Sequence, residues 1–145
     1  MNPGTYTILL ELEEERTVTF GAAGSRELAP GFYAYTGSAF GPGGLSRVDR
    51  HRRVLRGRNS TRHWHVDYLL DNSAVTWIGT WVSPHRRNEC EIAGALLGDP
   101  LPGIGSSDCS CESHLVFHTD RSTLTTAIEA VHEKRYSSVS HSEGD

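Results

Sequence analysis

The sequence is short of everything that would carry it into or across a membrane. No apolar run in its 145 residues approaches membrane-spanning length, and Met1-Asn2-Pro3-Gly4 opens it without a signal-peptide pattern. A soluble cytoplasmic protein with no membrane partner is the expectation. Cysteine is scarce: Cys90, Cys109 and Cys111 are the three present, an odd count that argues against a disulfide framework. Lysine is scarcer, with Lys134 alone among 14 basic residues, and a net charge of −4 argues against a protein that coats nucleic acid by bulk charge. Hydrophobic residues make up only 37% of the chain, a figure lowered by the Ser/His/Glu-rich stretch from Tyr136 to Asp145. That stretch reads as a disordered tail over residues 136–145. The preceding 1–135 suit one domain large enough to bury a core without staples. There is no internal repeat.

What charge there is lies unevenly. Arg47, Arg50, Arg52, Arg53, Arg56, Arg58 and Arg62 fall within sixteen positions opposed by Asp49 alone, while Glu11, Glu13, Glu14 and Glu15 concentrate acid elsewhere. A basic stripe on an acidic body can hold a phosphate backbone locally. The alternative is an exposed, solvated helix face.

The periodicities outline a small mixed α/β domain with a central, partly antiparallel sheet and helices packed on it. Thr5 to Glu13 and Arg16 to Phe20, on either side of an acidic turn, read as a hairpin. Phe32 to Gly37 is a further strand. Leu45, Val48, Val54 and Leu55 approximate helical spacing over residues 45–55. Thr61 can cap a second helix through His63-Trp64-His65-Val66-Asp67-Tyr68-Leu69-Leu70. Val75 to Val82 is a strand with Trp77 and Trp81 on one face, stopped by Pro84. Helical spacing returns from Arg87 to Leu97. Ser113 to His118 is a strand, and Ser122 to Lys134 an amphipathic helix presenting Leu124, Ala127, Ile128 and Val131.

Chemistry gathers near the start. Gly4-Thr5-Tyr6 and Tyr33-Ala34-Tyr35-Thr36-Gly37-Ser38 each put a tyrosine into a strand-like run beside a glycine. Arg47 and His51 follow four residues apart, on one helical face with Arg50 beside them. Two phenols, a planar cation and an imidazole supply a proton acceptor, a charge for phosphate oxygens and a further proton carrier. Taken singly, each tyrosine reads equally as half-buried strand packing.

In this order the chain resembles the GIY-YIG nuclease family. Gly4-Thr5-Tyr6 looks like its first element, Tyr35-Thr36-Gly37 like its second, and Arg47 stands where the family has an arginine on the following helix. More narrowly it resembles an uncharacterised prokaryotic branch whose members occur alone or attached to endonuclease III-type glycosylases. That closer likeness is carried by Gly31 to Ala39, His63 to Leu70, Glu89-Cys90-Glu91 and Gly105-Ser106-Ser107-Asp108-Cys109, and it covers residues 4 to 117. The resemblance implies a GIY-YIG-like fold and a metal-dependent endonuclease hydrolysing DNA phosphodiester bonds in repair. It also implies a glutamate ligand for Mg²⁺ or Mn²⁺ at the start of the helix after Val82, where Glu89 and Glu91 both occur. Measured from Glu89, apolar residues fall at +3, +4, +7 and +8, which sets Glu89 at the core-side edge. Glu91 lies about 200° around and stands in reserve. The catalytic set expected is then Tyr6, Tyr35, Arg47, His51 and Glu89, with Gly37, Ser38, Arg50, Arg53, His63 and His65 toward substrate. The loop between Gly37 and Arg47 is longer than in many family members, which leaves Arg50 as the alternative phosphate ligand. The terminal asparagine of many members has no counterpart.

Two further constellations can hold metal. His63-x-His65-x-Asp67 resembles a zinc-hydrolase ligand cluster, but on a helix only His63 and Asp67 share a face. Cys109-Ser110-Cys111-Glu112-Ser113-His114, joined by Cys90, would make a structural Zn²⁺ site if Cys90 faces that loop; buried or idle thiols are the alternative. Two other functions therefore stand beside the nuclease. One is a nucleic-acid-binding module without turnover that positions a repair glycosylase, and the other a zinc-stabilised interaction domain.

Overall fold

The computed structural model describes residues 3–20, 24–40, 43–55, 69, 74–87, 89–96, 98–101, 114–132 and 134–135. The fold is built on β1 (Gly4–Leu12), whose residues are buried apart from half-buried Glu11. Its near-continuous apolar run, poor in alternation, is what a strand covered on both faces requires. Along one edge β4 (Gly31–Ala39) pairs antiparallel from Gly4↔Ala39 to Leu12↔Gly31. Along the other, β5 (Val75–Pro84) pairs antiparallel from Gly4↔Pro84 to Leu12↔Val75.

With both edges occupied, β1 has no place for the stretch that follows it, so the expected hairpin of residues 5–13 with 16–20 does not form. Instead β2 (Arg16–Thr19) pairs with β3 (Ser25–Leu28) in a separate two-stranded sheet. Val18, Phe20 and Leu28 pack from it onto the same core as Leu10 and Leu12. Short strands complete the large sheet. β6 (Asp99–Pro100) and β7 (Leu115–His118) lie beyond β4, and β8 (Lys134–Arg135) lies beyond β5. All of its pairings are antiparallel.

The two faces carry separate cores. One gathers Tyr6, Ile8, Leu10, Tyr33, Tyr35, Leu69 and Leu115 with Val48 of α1 (Ser46–Leu55). The other gathers Leu9, Ala34, Trp81 and Val116 with Leu124 and Ile128 of α3 (Arg121–Val131), and with Leu96 just beyond α2 (Glu89–Ala95). The apolar spacing expected for the last helix is thus the face that packs, with Ala127 and Val131 at its margin. Asp120 caps that helix, accepting from the Thr123 amide at 3.0 Å. Hydrogen bonds from the Thr123 side chain and backbone hold its carboxyl below the usual carboxylate range.

Trp77 and Trp81 do not share a face. The pairing of β1 with β5 slips between Leu9 and Leu10, so that Leu9 meets Gly79 and Leu10 meets Trp77. One extra residue at that slip reverses the alternation. Trp77 packs with the first core and Trp81 with the second.

Opposite the tyrosine face lies a buried polar chain. Thr7 Oγ1 is 2.8 Å from Thr36 Oγ1 and 2.7 Å from His132 Nε2, and His132 Nδ1 is 3.0 Å from Ser83 Oγ. Burial pushes the His132 imidazole down to about 4, opposed in part by its hydrogen bond with the Val82 backbone. The sequence reading passed over this histidine, because its partners come from strands distant in the chain.

Candidate active site

The strand register brings the motif tyrosines together. Tyr6 stands opposite Gly37 and Ile8 opposite Tyr35, so both phenols project from the same face toward α1. A Cβ at Gly37 would lie 2.7 Å from Tyr6 Oη and 3.1 Å from the Tyr35 ring. The motif glycine is therefore the space that the Tyr6 ring crosses. Gly4 has a related reason, since a Cβ there would lie 2.8 Å from the Ser83 carbonyl oxygen.

The loop after β4 then turns the chain back over these rings. Gly43 and Gly44 adopt φ of 88° and 55°, and the amides of Ser46, Arg47 and Val48 donate to the carbonyls of Gly43, Gly44 and Leu45. Positive φ at two successive positions is easily adopted only by glycine. This tight entry starts α1 with Leu45 and Val48 buried, and three residues on places His51 on the same inward face. His51 Nε2 and Tyr6 Oη share a hydrogen bond of 2.8 Å between fully buried side chains. The Tyr35 ring meets His51 edge-on at 6.3 Å and lies 6.4 Å from the Tyr6 ring.

Arg47, one turn before His51, is half-buried and donates through Nη1 to the carbonyl of Ser38. That bond ties the helix to the end of β4. Arg50 is half-buried as well. Arg53 lies on α1, with its side chain outside the described residues; His63 and His65 lie outside them altogether, as do Arg56, Arg58, Arg62 and the 136–145 tail. Of the expected second helix only Leu69 is described, buried in the tyrosine-side core.

One cation was missed. The Arg87 guanidinium lies 4.1 Å over the Phe40 ring, next to the Ser38–Arg47 contact in the chain. Its sequence position, forty residues beyond Arg47, gave no sign of this, because only the β1–β5 pairing brings the end of β5 back to the end of β4.

That same pairing fixes where α2 begins. The His85 amide donates to the Pro3 carbonyl and the Arg86 carbonyl accepts from Thr5 Oγ1 at 2.6 Å. Glu89 is the first residue of α2, two residues beyond Arg87, so its backbone cannot leave this end of the sheet. Its side chain lies outside the described residues. Glu91 is exposed and lines a cavity of about 230 Å³ with Arg86, Ile92, Ala95 and Val131 of α3. It thus borders the helix layer on the face opposite the tyrosines.

Ile92, Ala93 and Leu96 are buried as expected, and Cys90 is half-buried with Sγ 3.5 Å from His114 Nε2. Cys90 also carries a disulfide bond, where the sequence offered a zinc ligand or a buried or idle thiol. Cys109 and Cys111 lie outside the described residues. Among the described residues no three Cys, His, Asp or Glu side chains converge as a metal group, and no helix is long and apolar enough to cross a membrane.

No curated protein and no solved structure matches the chain. The family model described as "Domain of unknown function DUF123" matches residues 5–137, from the first motif strand to just beyond β8. The chain belongs to the DUF123 family.

Proposed function

We propose that this protein is a GIY-YIG-type endonuclease that hydrolyses DNA phosphodiester bonds with Mg²⁺ or Mn²⁺, acting in the cytoplasm in DNA repair. One observation carries the reading: the buried 2.8 Å hydrogen bond between Tyr6 and His51, with the Tyr35 ring against both. Three residues from three separate elements converge there, in the order in which the motifs occur in the sequence. The distant association of DUF123 with GIY-YIG proteins supports the same reading.

The residues have distinct tasks. Tyr6 passes its phenolic proton to His51, and the phenolate takes a proton from the attacking water as the new O–P bond forms and the bond to the leaving oxygen breaks. Tyr35 flanks the pair and helps orient the water. Arg47, steadied by Ser38, supplies the positive charge that faces the phosphate. Arg50 and Arg87 add positive charge beside the path of the strand. Glu89 would hold a Mg²⁺ ion through one carboxylate completed by water, a donor set normal for that ion. When bound there, the ion would neutralise the scissile phosphate and the leaving oxygen.

A second reading draws on the complete burial of Tyr6 and His51, which suits a packed scaffold. In it the arginines bind nucleic acid without turnover and position a repair glycosylase.

Cleavage of end-labelled duplex, nicked, branched and abasic DNA with Mg²⁺ or Mn²⁺ separates the two. Activity is expected in the wild type and in Glu91→Ala, and its loss in folded Glu89→Ala and Tyr35→Phe. Absence of cleavage beside retained, salt-sensitive binding would establish the binding module instead. Cleavage that survives all three substitutions would come from a contaminating nuclease.

A further inference from the structure

We propose that Arg87 and Phe40 form a stacking platform for an unpaired nucleobase, so that the substrate this protein prefers is DNA carrying an unpaired nucleotide rather than a continuous duplex. This rests on the DNA binding common to both readings above, and not on cleavage.

The platform is made by the end of the sheet. Ala39, Gly4 and Pro84 form the last cross-strand row of β4, β1 and β5. Phe40 leaves that row from β4 and Arg87 from the turn after β5, and the guanidinium meets the ring at 4.1 Å although β1 runs between their strands. Phe40 is half-buried and Arg87 exposed, so the ring is seated in the protein and the cation is its outer cover. Among the described residues no carboxylate pairs with Arg87. Its place is set by the ring, and its charge is not neutralised there by an acid.

The turn that delivers Arg87 is held in a strained conformation. His85 adopts φ of 64°, the only positive value at a non-glycine residue among the described residues. Backbone of this kind persists only where its surroundings over-determine it, and it gathers at functional sites. Here the His85 amide donates to the Pro3 carbonyl at 2.8 Å and the Arg86 amide to the Ser83 carbonyl at 3.3 Å, while the fully buried Thr5 hydroxyl donates to the Arg86 carbonyl at 2.6 Å. These bonds do not bury Arg87. They aim an exposed cation at Phe40.

A guanidinium lying on an aromatic ring is planar, weakly hydrated and fixed in place. Its exposed side suits a nucleobase, because every base has a π-face and arginine planes stack on it. Phosphate alone would be served as well by a solvated arginine or lysine, so the ring adds nothing to charge. In a duplex each base is already paired and stacked, and withdrawing one costs free energy that an unpaired base does not. Tyr6 stands two residues from the row at Gly4, about 7 Å along β1. Ser38, whose carbonyl accepts from Arg47, stands two residues before Phe40. A stacked base therefore sets its own strand at the end of the sheet where Arg47 is tied.

The test measures DNA binding by the full chain in EDTA, so that cleavage plays no part. Three duplexes of one sequence are compared: one continuous, one with a single unpaired nucleotide bulged from a strand, and one with that nucleotide replaced by an abasic residue. Wild type is expected to bind the bulged DNA about ten-fold or more tighter than the other two. Arg87→Lys, which keeps the charge but not the plane, and Phe40→Leu should each lower that ratio about ten-fold. A preference that persists with the abasic residue would overturn the proposal, because the backbone and not a base would then be recognised. Equal affinity for all three duplexes would overturn it too. Both outcomes use wild type alone, so they stand even where a variant fails to fold. Folded Arg87→Lys with an unchanged preference would also refute it. Absence of all DNA binding would remove it together with both nucleic-acid readings, whereas the expected preference without cleavage in Mg²⁺ would support the platform and retire only the nuclease.

Discussion

Lowering the pH should destabilise this protein through one imidazole. His132 is buried between the hydroxyls of Thr7 and Ser83, and burial pushes its pKa from the ordinary 6.5 to about 4. Between those values the unfolded chain binds the proton and the folded one does not, so stability falls as pH drops. Above 6.5 both states are neutral at this site, and below about 4 both are protonated, so the loss is confined to that window. At about 1.4 kcal/mol for each pH unit, the full traverse costs on the order of 3 kcal/mol. That is a large part of the 5–15 kcal/mol typical of a domain. Urea denaturation of wild type and His132→Gln at intervals from pH 7.5 to pH 4 isolates the effect, because groups common to both cancel. The variant should be weaker by about 1–3 kcal/mol at neutral pH, with buried hydroxyls left underpartnered, and the difference between the two proteins should shrink toward pH 4. A difference that stays constant across the window would refute the assignment of the acid sensitivity to His132.

Gly37→Ala places a methyl group where the Tyr6 ring passes, at 2.7 Å from Oη. It should destabilise by about 1–3 kcal/mol in denaturant titration and reduce any cleavage by displacing Tyr6 from His51. Leu124→Ala removes a fully buried contact between α3 and the sheet and should cost about 2–5 kcal/mol in the same assay. It should leave the tyrosine face unchanged in NMR spectra.

Much of this organisation was legible along the chain. The periodicity of α3 and the break at Pro84 needed only local reading, because an amphipathic helix and a strand stop are written in consecutive residues. The same holds for the α1 spacing that sets His51 one turn beyond Arg47. Even the poor alternation of residues 5–13 carried its meaning: a strand covered on both faces has no polar side to show.

Tertiary pairing decided the rest. Whether residues 16–20 fold back on β1 depends on competition for its edges, which β4 and β5 win over its whole length. A local pattern cannot record that competition. The slip in the β1–β5 register separates Trp77 from Trp81, and no composition rule announces a bulge. The contacts that give the chain its chemistry are longest in range: Tyr6 with His51, Cys90 with His114, and His132 with Thr7 span 45, 24 and 125 residues. Sequence determined which side chains were available and on which local face each would stand. Only the antiparallel sheet with its packed helices could set them within hydrogen-bonding distance, because that distance is fixed by strand register and layer packing rather than by spacing along the chain.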